Sequence, residues 1–125
     1  MAADPIEVVT KFCQTWESVD LDALMAFFTD DAVYHNIPLA PVVGKDAIRT
    51  TIEGFATGVD KIEFDVVHVA ANDNVVMTER VDRFVRPDKT LALPVMGTFE
   101  VVDGLIAAWR DYFDLNQFMS QLPTG

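Results

Sequence analysis

Residues 90–113 read TLALPVMGTFEVVDGLIAAWRDYF, and the fold depends on how this run is parsed. Successive residues of a strand point to opposite faces. In TLALPVMGTFEVV (90–102), Leu91, Leu93, Val95, Gly97, Phe99 and Val101 therefore share one face. Asp103-Gly104 falls between two apolar runs, which is a strong signal for a tight hairpin. LIAAWRDYF (105–113) then returns as the last long strand. Leu105, Ala107, Trp109, Asp111 and Phe113 lie on one side of it, and Ile106, Ala108 and Tyr112 on the other. Four of the first set are apolar and one is a carboxylate, so Asp111 is the most informative residue of the chain. A charge among core residues is costly unless it is paired. The other reading is a strand end that frays and leaves Asp111 at a wet rim.

Working outward, VVMTERVDRFVR (75–86) reads as a long strand closed by a turn at Pro87-Asp88. KIEFDVVHVA (61–70) precedes it, with Ile62, Phe64, Val66 and His68 on one face, and Asn72-Asp73-Asn74 makes the turn between the two. These strands form an antiparallel meander. Before Gly58 the period is helical. Asp4-Pro5 opens a helix in which Ile6, Val9, Phe12, Cys13 and Trp16 recur, ending near Ser18. Asp20 caps a second helix holding Leu21, Leu24, Met25, Phe27 and Phe28, which Asp30-Asp31 interrupts. AVYHNIP (32–38) is a short strand, and Pro41 and Gly44 mark a loop. A third helix runs from Gly44 or Lys45 to Ala56, and Asp114 caps a short last one reaching about Gln121. Helices followed by a meander predict an α+β fold. A sheet this long twists and curls, so helices would cover its concave face and close a cavity. The chain is expected to be one domain over residues 1–125.

Composition narrows the function. Hydrophobic residues make up 50% of the 125, with nine Phe, enough for a core and one internal pocket. The net charge of −11 and the absence of a Lys/Arg-rich segment argue against nucleic acid and anionic membranes as partners. Cys13 is the only cysteine, so an internal disulfide and a cysteine metal cluster are both excluded. No leader pattern or membrane-length apolar run is seen, and a cytoplasmic globular protein is expected.

Three polar groupings stand out. Arg80 and Asp82 are i, i+2 neighbours on one strand face, together with Val76, Thr78 and Phe84. On spacing alone they read equally as a surface ion pair. Tyr34 and Asn36 share a face and together can hold a water, although Asn36 before Ile37-Pro38 also suits a turn. His35 points away from that pair. His35 and His68 both read as structural, and the residues supply no metal set and no nucleotide or cofactor motif.

FFTDDAVYHNIPLAPVVGKDAI (27–48), TERVDRF (78–84), MGTFEV (96–101) and AWRDYFDLNQF (108–118) together resemble the limonene-1,2-epoxide hydrolases. That family belongs to the nuclear-transport-factor-2-like, or SnoaL-like, superfamily of curled-sheet cones. The resemblance runs from the first helix through the last strand. It implies a single curled antiparallel or mixed sheet packed against three to four helices around a deep apolar pocket. The family's Y-x-N falls on Tyr34 and Asn36, its R-V-D on Arg80 and Asp82, and its W-R-D on Asp111. Asp82 is then the general acid, Asp111 the general base, and Arg80 the bridge that orients both, while Tyr34 and Asn36 hold the attacking water. The implied reaction adds water to a small hydrophobic epoxide to give a vicinal diol, with no covalent intermediate, no metal and no cofactor. Trp16, Phe55, Phe84, Leu93, Val95, Phe113 and Phe118 match the family's pocket-lining positions. A homodimer through the outer sheet face is implied too, with Ile106, Ala108 and Tyr112 as its apolar strip. Two other readings stay open. One is a ketosteroid-isomerase-like or polyketide-cyclase-like enzyme that uses one Asp on the same cone. The other is a non-enzymatic binder of apolar ligands.

Overall fold

The computed structural model describes residues 4–18 and 20–122. Helix α1 (Pro5–Thr15) starts as its cap chemistry requires: Asp4 accepts from the Ile6 N–H, with Pro5 in the first turn. A single 3-10 turn, Trp16–Ser18, follows. Helix α2 (Leu21–Met25) is capped by Asp20, and α4 (Leu115–Met119) by Asp114, each accepting an N–H three residues on. Helix α3 is Lys45–Ala56. The strands are β1 (Phe28–Asn36), β2 (Val42–Val43), β3 (Lys61–Asn72), β4 (Val75–Val85), β5 (Thr90–Val102) and β6 (Leu105–Tyr112).

All six strands form one curled mixed sheet in the order β2-β1-β6-β5-β4-β3. β1 runs parallel to β6, and every other pair is antiparallel. This parallel pairing brings the chain's early polar residues beside its late ones: Asn36 is in register with Asp111, and Tyr34 with Trp109. The β5–β6 hairpin turns on Asp103 and Gly104, both at positive φ (51° and 79°), the conformation a two-residue hairpin demands.

The concave face carries the core. Phe12 of α1 sits edge-on to Trp16, Phe27, Phe28, Phe99 and Trp109, at centroid distances of 5.1–6.0 Å. Edge-to-face rings set positive ring edges against negative faces and contribute beyond simple area burial.

Four expectations need correction. The second helix stops at Met25, and Phe28, Asp30 and Asp31 already belong to β1. Phe28 is 1% exposed and pairs with Ile106, so sheet pairing and burial override the helical spacing. The loop after Pro41 contains a two-residue strand, Val42–Val43, that pairs with Val33 and Tyr34. On β3, Val66 pairs with Arg80 but His68 pairs with Glu79, so Val67 is an extra, bulged residue. The bulge reverses the alternation and turns His68 outward, where its Nδ1 lies 2.8 Å from Glu79 Oε1. Likewise Glu100 pairs with Ala108 and Val101 with Ile106, which leaves Ala107 as the extra residue. Ile106 is therefore buried and Leu105 faces out, the reverse of strict alternation.

Candidate active site

Arg80 and Asp82 come from β4, Asp111 from β6, and Tyr34 and Asn36 from β1, and the curl of the sheet gathers all five. Arg80, Asp82 and Asp111 are 1%, 4% and 4% exposed, so neither the surface ion pair nor the frayed strand end describes them. The guanidinium has five N–H groups and all five are used. Nε donates to Asp82 Oδ1 at 2.9 Å and Nη2 to Asp82 Oδ2 at 2.8 Å. Nη2 also donates to Asp111 Oδ2 at 2.9 Å, and Nη1 to Asp111 Oδ1 at 3.2 Å. The last bond goes from Nη1 to Thr78 Oγ1 at 3.1 Å. The Arg80 carbon Cζ also lies 4.6 Å from the centre of the Phe64 ring, a cation–π contact.

Two buried acids around one cation leave one negative charge too many. Burial pushes the Asp82 carboxyl up from 3.8 to about 6, against the pull of the Arg80 charge and hydrogen bonds, and the Asp111 charge adds to the rise. Burial would strip Arg80 of its charge, but Asp111 and Asp82 outweigh that and hold its pKa well above the ordinary value. Arg80 is thus a fixed cation, and a proton held by the acids titrates as a property of the pair.

Tyr34 is stacked on Trp109 at 4.1 Å and donates its hydroxyl hydrogen to Asn36 Oδ1 at 3.1 Å. Burial, reinforced by the Asp111 charge, raises the phenol far above its usual range, so it stays neutral. With Oδ1 engaged, the Asn36 amide N–H groups and the Tyr34 oxygen lone pairs are left for a third partner. His35 turns away, with its Nε2 at 2.9 Å from the Leu39 carbonyl.

A cavity of about 380 Å³ opens onto these groups, with Tyr34, Asn36, Asp82 and Asp111 in its wall. Of the seven apolar positions expected to line it, Phe55, Phe84, Leu93, Val95, Phe113 and Phe118 do so. Trp16 does not. It is fully buried and stacks behind the wall against Phe64 at 4.6 Å and Phe55 at 5.9 Å. Helical periodicity shows that Trp16 faces inward but cannot distinguish the wall from the layer behind it. Phe64 and Leu91 line the cavity as well, as their inward strand parity allows, and Thr51, Thr57 and Arg86 add polar groups to the wall. Trp109, an apolar face-mate of Asp111 by spacing, also donates its Nε1–H to Asp111 Oδ1 at 2.7 Å. Among the described residues no three His, Cys, Asp or Glu side chains gather as a metal set.

This arrangement supplies a buried acid of raised pKa, a second carboxylate, a fixed cation and two neutral polar groups beside an apolar chamber. The profile of the limonene-1,2-epoxide hydrolase catalytic domain matches residues 3–124. The chain belongs to that family. An epoxide hydrolase of Mycobacterium tuberculosis, EphG, is 31% identical over 117 residues, covering 94% of this chain and 78% of that protein. A solved M. tuberculosis structure, an epoxide hydrolase like those of the family, superposes with a TM-score of 0.83 at 29% identity, covering 95% of this chain and 89% of that one. A SnoaL-like polyketide cyclase structure from Shewanella putrefaciens reaches a TM-score of 0.84 at 17% identity, covering 96% of each chain. That last likeness shows the shared curled-sheet fold alone. The feature of this chain that bears on chemistry is the Asp82–Arg80–Asp111 bridge, whose two carboxylates line the cavity. No helix among the described residues is long and apolar enough to cross a membrane.

Proposed function

We propose that this limonene-1,2-epoxide hydrolase family member opens a small hydrophobic epoxide with water in one concerted step, acting as a single catalytic domain over residues 1–125. The observation that carries the reading is the pair of buried carboxylates held by one guanidinium at the wall of a mostly apolar cavity. An epoxide is strained, but its oxygen leaves poorly as an alkoxide. Protonating that oxygen while a base removes a proton from the attacking water lowers both barriers together. Asp82 donates its proton to the epoxide oxygen as the C–O bond breaks. Water, held by the Asn36 amide and the Tyr34 oxygen, forms the new C–O bond and gives its proton to Asp111. The product is a vicinal diol. The proton has moved from one acid to the other, and Arg80, bonded to both, keeps them in place for its return. The apolar walls suit a hydrocarbon substrate and exclude bulk water.

A panel of small cyclic and linear epoxides, with chiral analysis of the diols, tests the activity. Single turnover in oxygen-18 water tests the step, and the label is expected in the first diol released. Unlabelled first-turnover diol would mean that a carboxylate attacked carbon, and would overturn the water mechanism. The pair is expected to work within a homodimer formed through the outer sheet face. Of the strip expected there, Ile106 is buried and cannot take part, and Tyr112 is instead joined by Val67 and Met96; at 47%, 51% and 50% exposure the three make an apolar patch that favours association. Light scattering on the eluting protein should give twice 13.9 kDa, and a monomer mass would remove the dimer.

A further inference from the structure

The Arg80–Asp111 contact is made across a strand. Arg80 stands on β4 and Asp111 on β6, with β5 between them. Neighbouring strands lie about 4.8 Å apart, so the bridge spans roughly twice that distance. The β5 position directly between Thr78 and Asp111 is Gly97. A Cβ there would collide with Arg80 Nη1, lie 2.6 Å from Asp111 Oδ1 and lie 3.1 Å from Thr78 Oγ1. Gly97 has no positive φ, so the glycine here supplies room rather than a special turn. Thr78 closes the layer: its hydroxyl accepts from Arg80 Nη1 and donates to the Gly97 carbonyl at 3.3 Å.

The two acids are not held alike. Asp82 accepts two N–H bonds, both from Arg80. Asp111 accepts two from Arg80 and a third from Trp109 Nε1 at 2.7 Å. An indole N–H can only donate, so it favours a carboxylate over a carboxylic acid at its partner. The ring cannot swing away. Tyr34 and Phe99 stack on it at 4.1 and 5.5 Å, and Phe12 meets it edge-on at 5.1 Å.

We propose that Trp109 is a positioning residue that commits the pair's shared proton to Asp82, over a saddle that Gly97 leaves empty, and so decides which aspartate is acid and which is base. The inference rests on the acid–base reading above and extends it to the group that sets the asymmetry. In a symmetric pair the proton would divide between the two acids, and half the molecules would carry it on the wrong one.

The test is a carbon-13 carboxyl NMR titration of aspartate-labelled protein without substrate. Asp82→Asn and Asp111→Asn assign the signals. In the wild type the Asp82 signal should carry the pair's titration. In Trp109→Phe, which keeps a ring in the stack, part of that amplitude should pass to Asp111. The same variant should lose about ten- to a hundredfold in kcat/KM, the worth of one hydrogen bond to a charged group, with the acid limb of its pH profile moved to higher pH. Gly97→Ala should redistribute the amplitude in the same direction by displacing the bridge. An Asp111 signal that stays flat in Trp109→Phe, with an unmoved acid limb, would overturn the proposal. Should that variant fail to fold, full titration amplitude at Asp111 in the wild type overturns it instead. The NMR readout needs no turnover, so a wild type that hydrolyses no epoxide would count against the functional reading and leave the proton placement to be judged separately.

Discussion

Asp82→Asn and Asp111→Asn each lower kcat/KM for epoxide hydrolysis by about a hundred- to ten-thousandfold, the range that a positioned acid or base contributes. The two variants fail for different reasons. Asp82→Asn is close in size to the acid but keeps only one oxygen to accept from Arg80, so one of the two bonds of the bridge is lost along with the transferable proton. Asp111→Asn keeps an oxygen for the Trp109 N–H but cannot take a proton from water. Wild-type rates in either variant would end the acid–base mechanism. Asp82→Asn also carries a stability signature. A carboxyl raised from 3.8 to about 6 by folding favours the folded state while it is protonated. That contribution is fully present below the unfolded pKa and is lost as pH rises through the folded one. The wild-type melting temperature should therefore fall relative to Asp82→Asn as pH climbs through that window. Parallel curves for the two proteins would show that Asp82 is not the group that titrates.

The second large effect belongs to Arg80→Met. The side chain is fully buried and bonds two buried carboxylates, so truncating its charge leaves both without a cation, with only the Trp109 N–H still bonded to Asp111. Breaking a buried pair in this way costs about 3–5 kcal/mol, a large share of a small domain's stability. The loss should be greatest at neutral pH, where the acids are asked to ionise. It should shrink in acid, where protonation removes the unpaired charge. Urea denaturation at the two pH values checks this, and an unchanged midpoint at neutral pH would mean that Arg80 does not neutralise the pair. Activity should vanish with the bridge, since Asp82 then loses both of its Arg80 bonds and Asp111 two of its three.

Much of the fold was legible because its signals are local. Asp103-Gly104 between two alternating runs demands a hairpin, and Asp4, Asp20 and Asp114 cap the helices they precede. Local pattern misleads where a distant partner overrides it. Phe28 looks helical by spacing but is claimed by Ile106 of β6. Strict alternation puts His68 and Ile106 on the wrong faces because one-residue bulges reverse parity, and nothing at Val67 or Ala107 announces a bulge.

The site divides along the same line. Residue identities along the chain determined that Arg80 and Asp82 share a face, that Tyr34 and Asn36 share another, and that Asp111 stands among apolar neighbours, because strand alternation is a property of the backbone itself. Only the tertiary structure decided that the three sets meet. The parallel β1–β6 pairing puts Asn36 in register with Asp111, and the gap at Gly97 lets Arg80 reach across β5. Trp16 lies behind the cavity wall and Trp109 bonds to Asp111, and neither fact can be read from spacing. Periodicity specifies the direction in which a side chain leaves its own strand, whereas the identity of the group it meets depends on which strands pair and in what register.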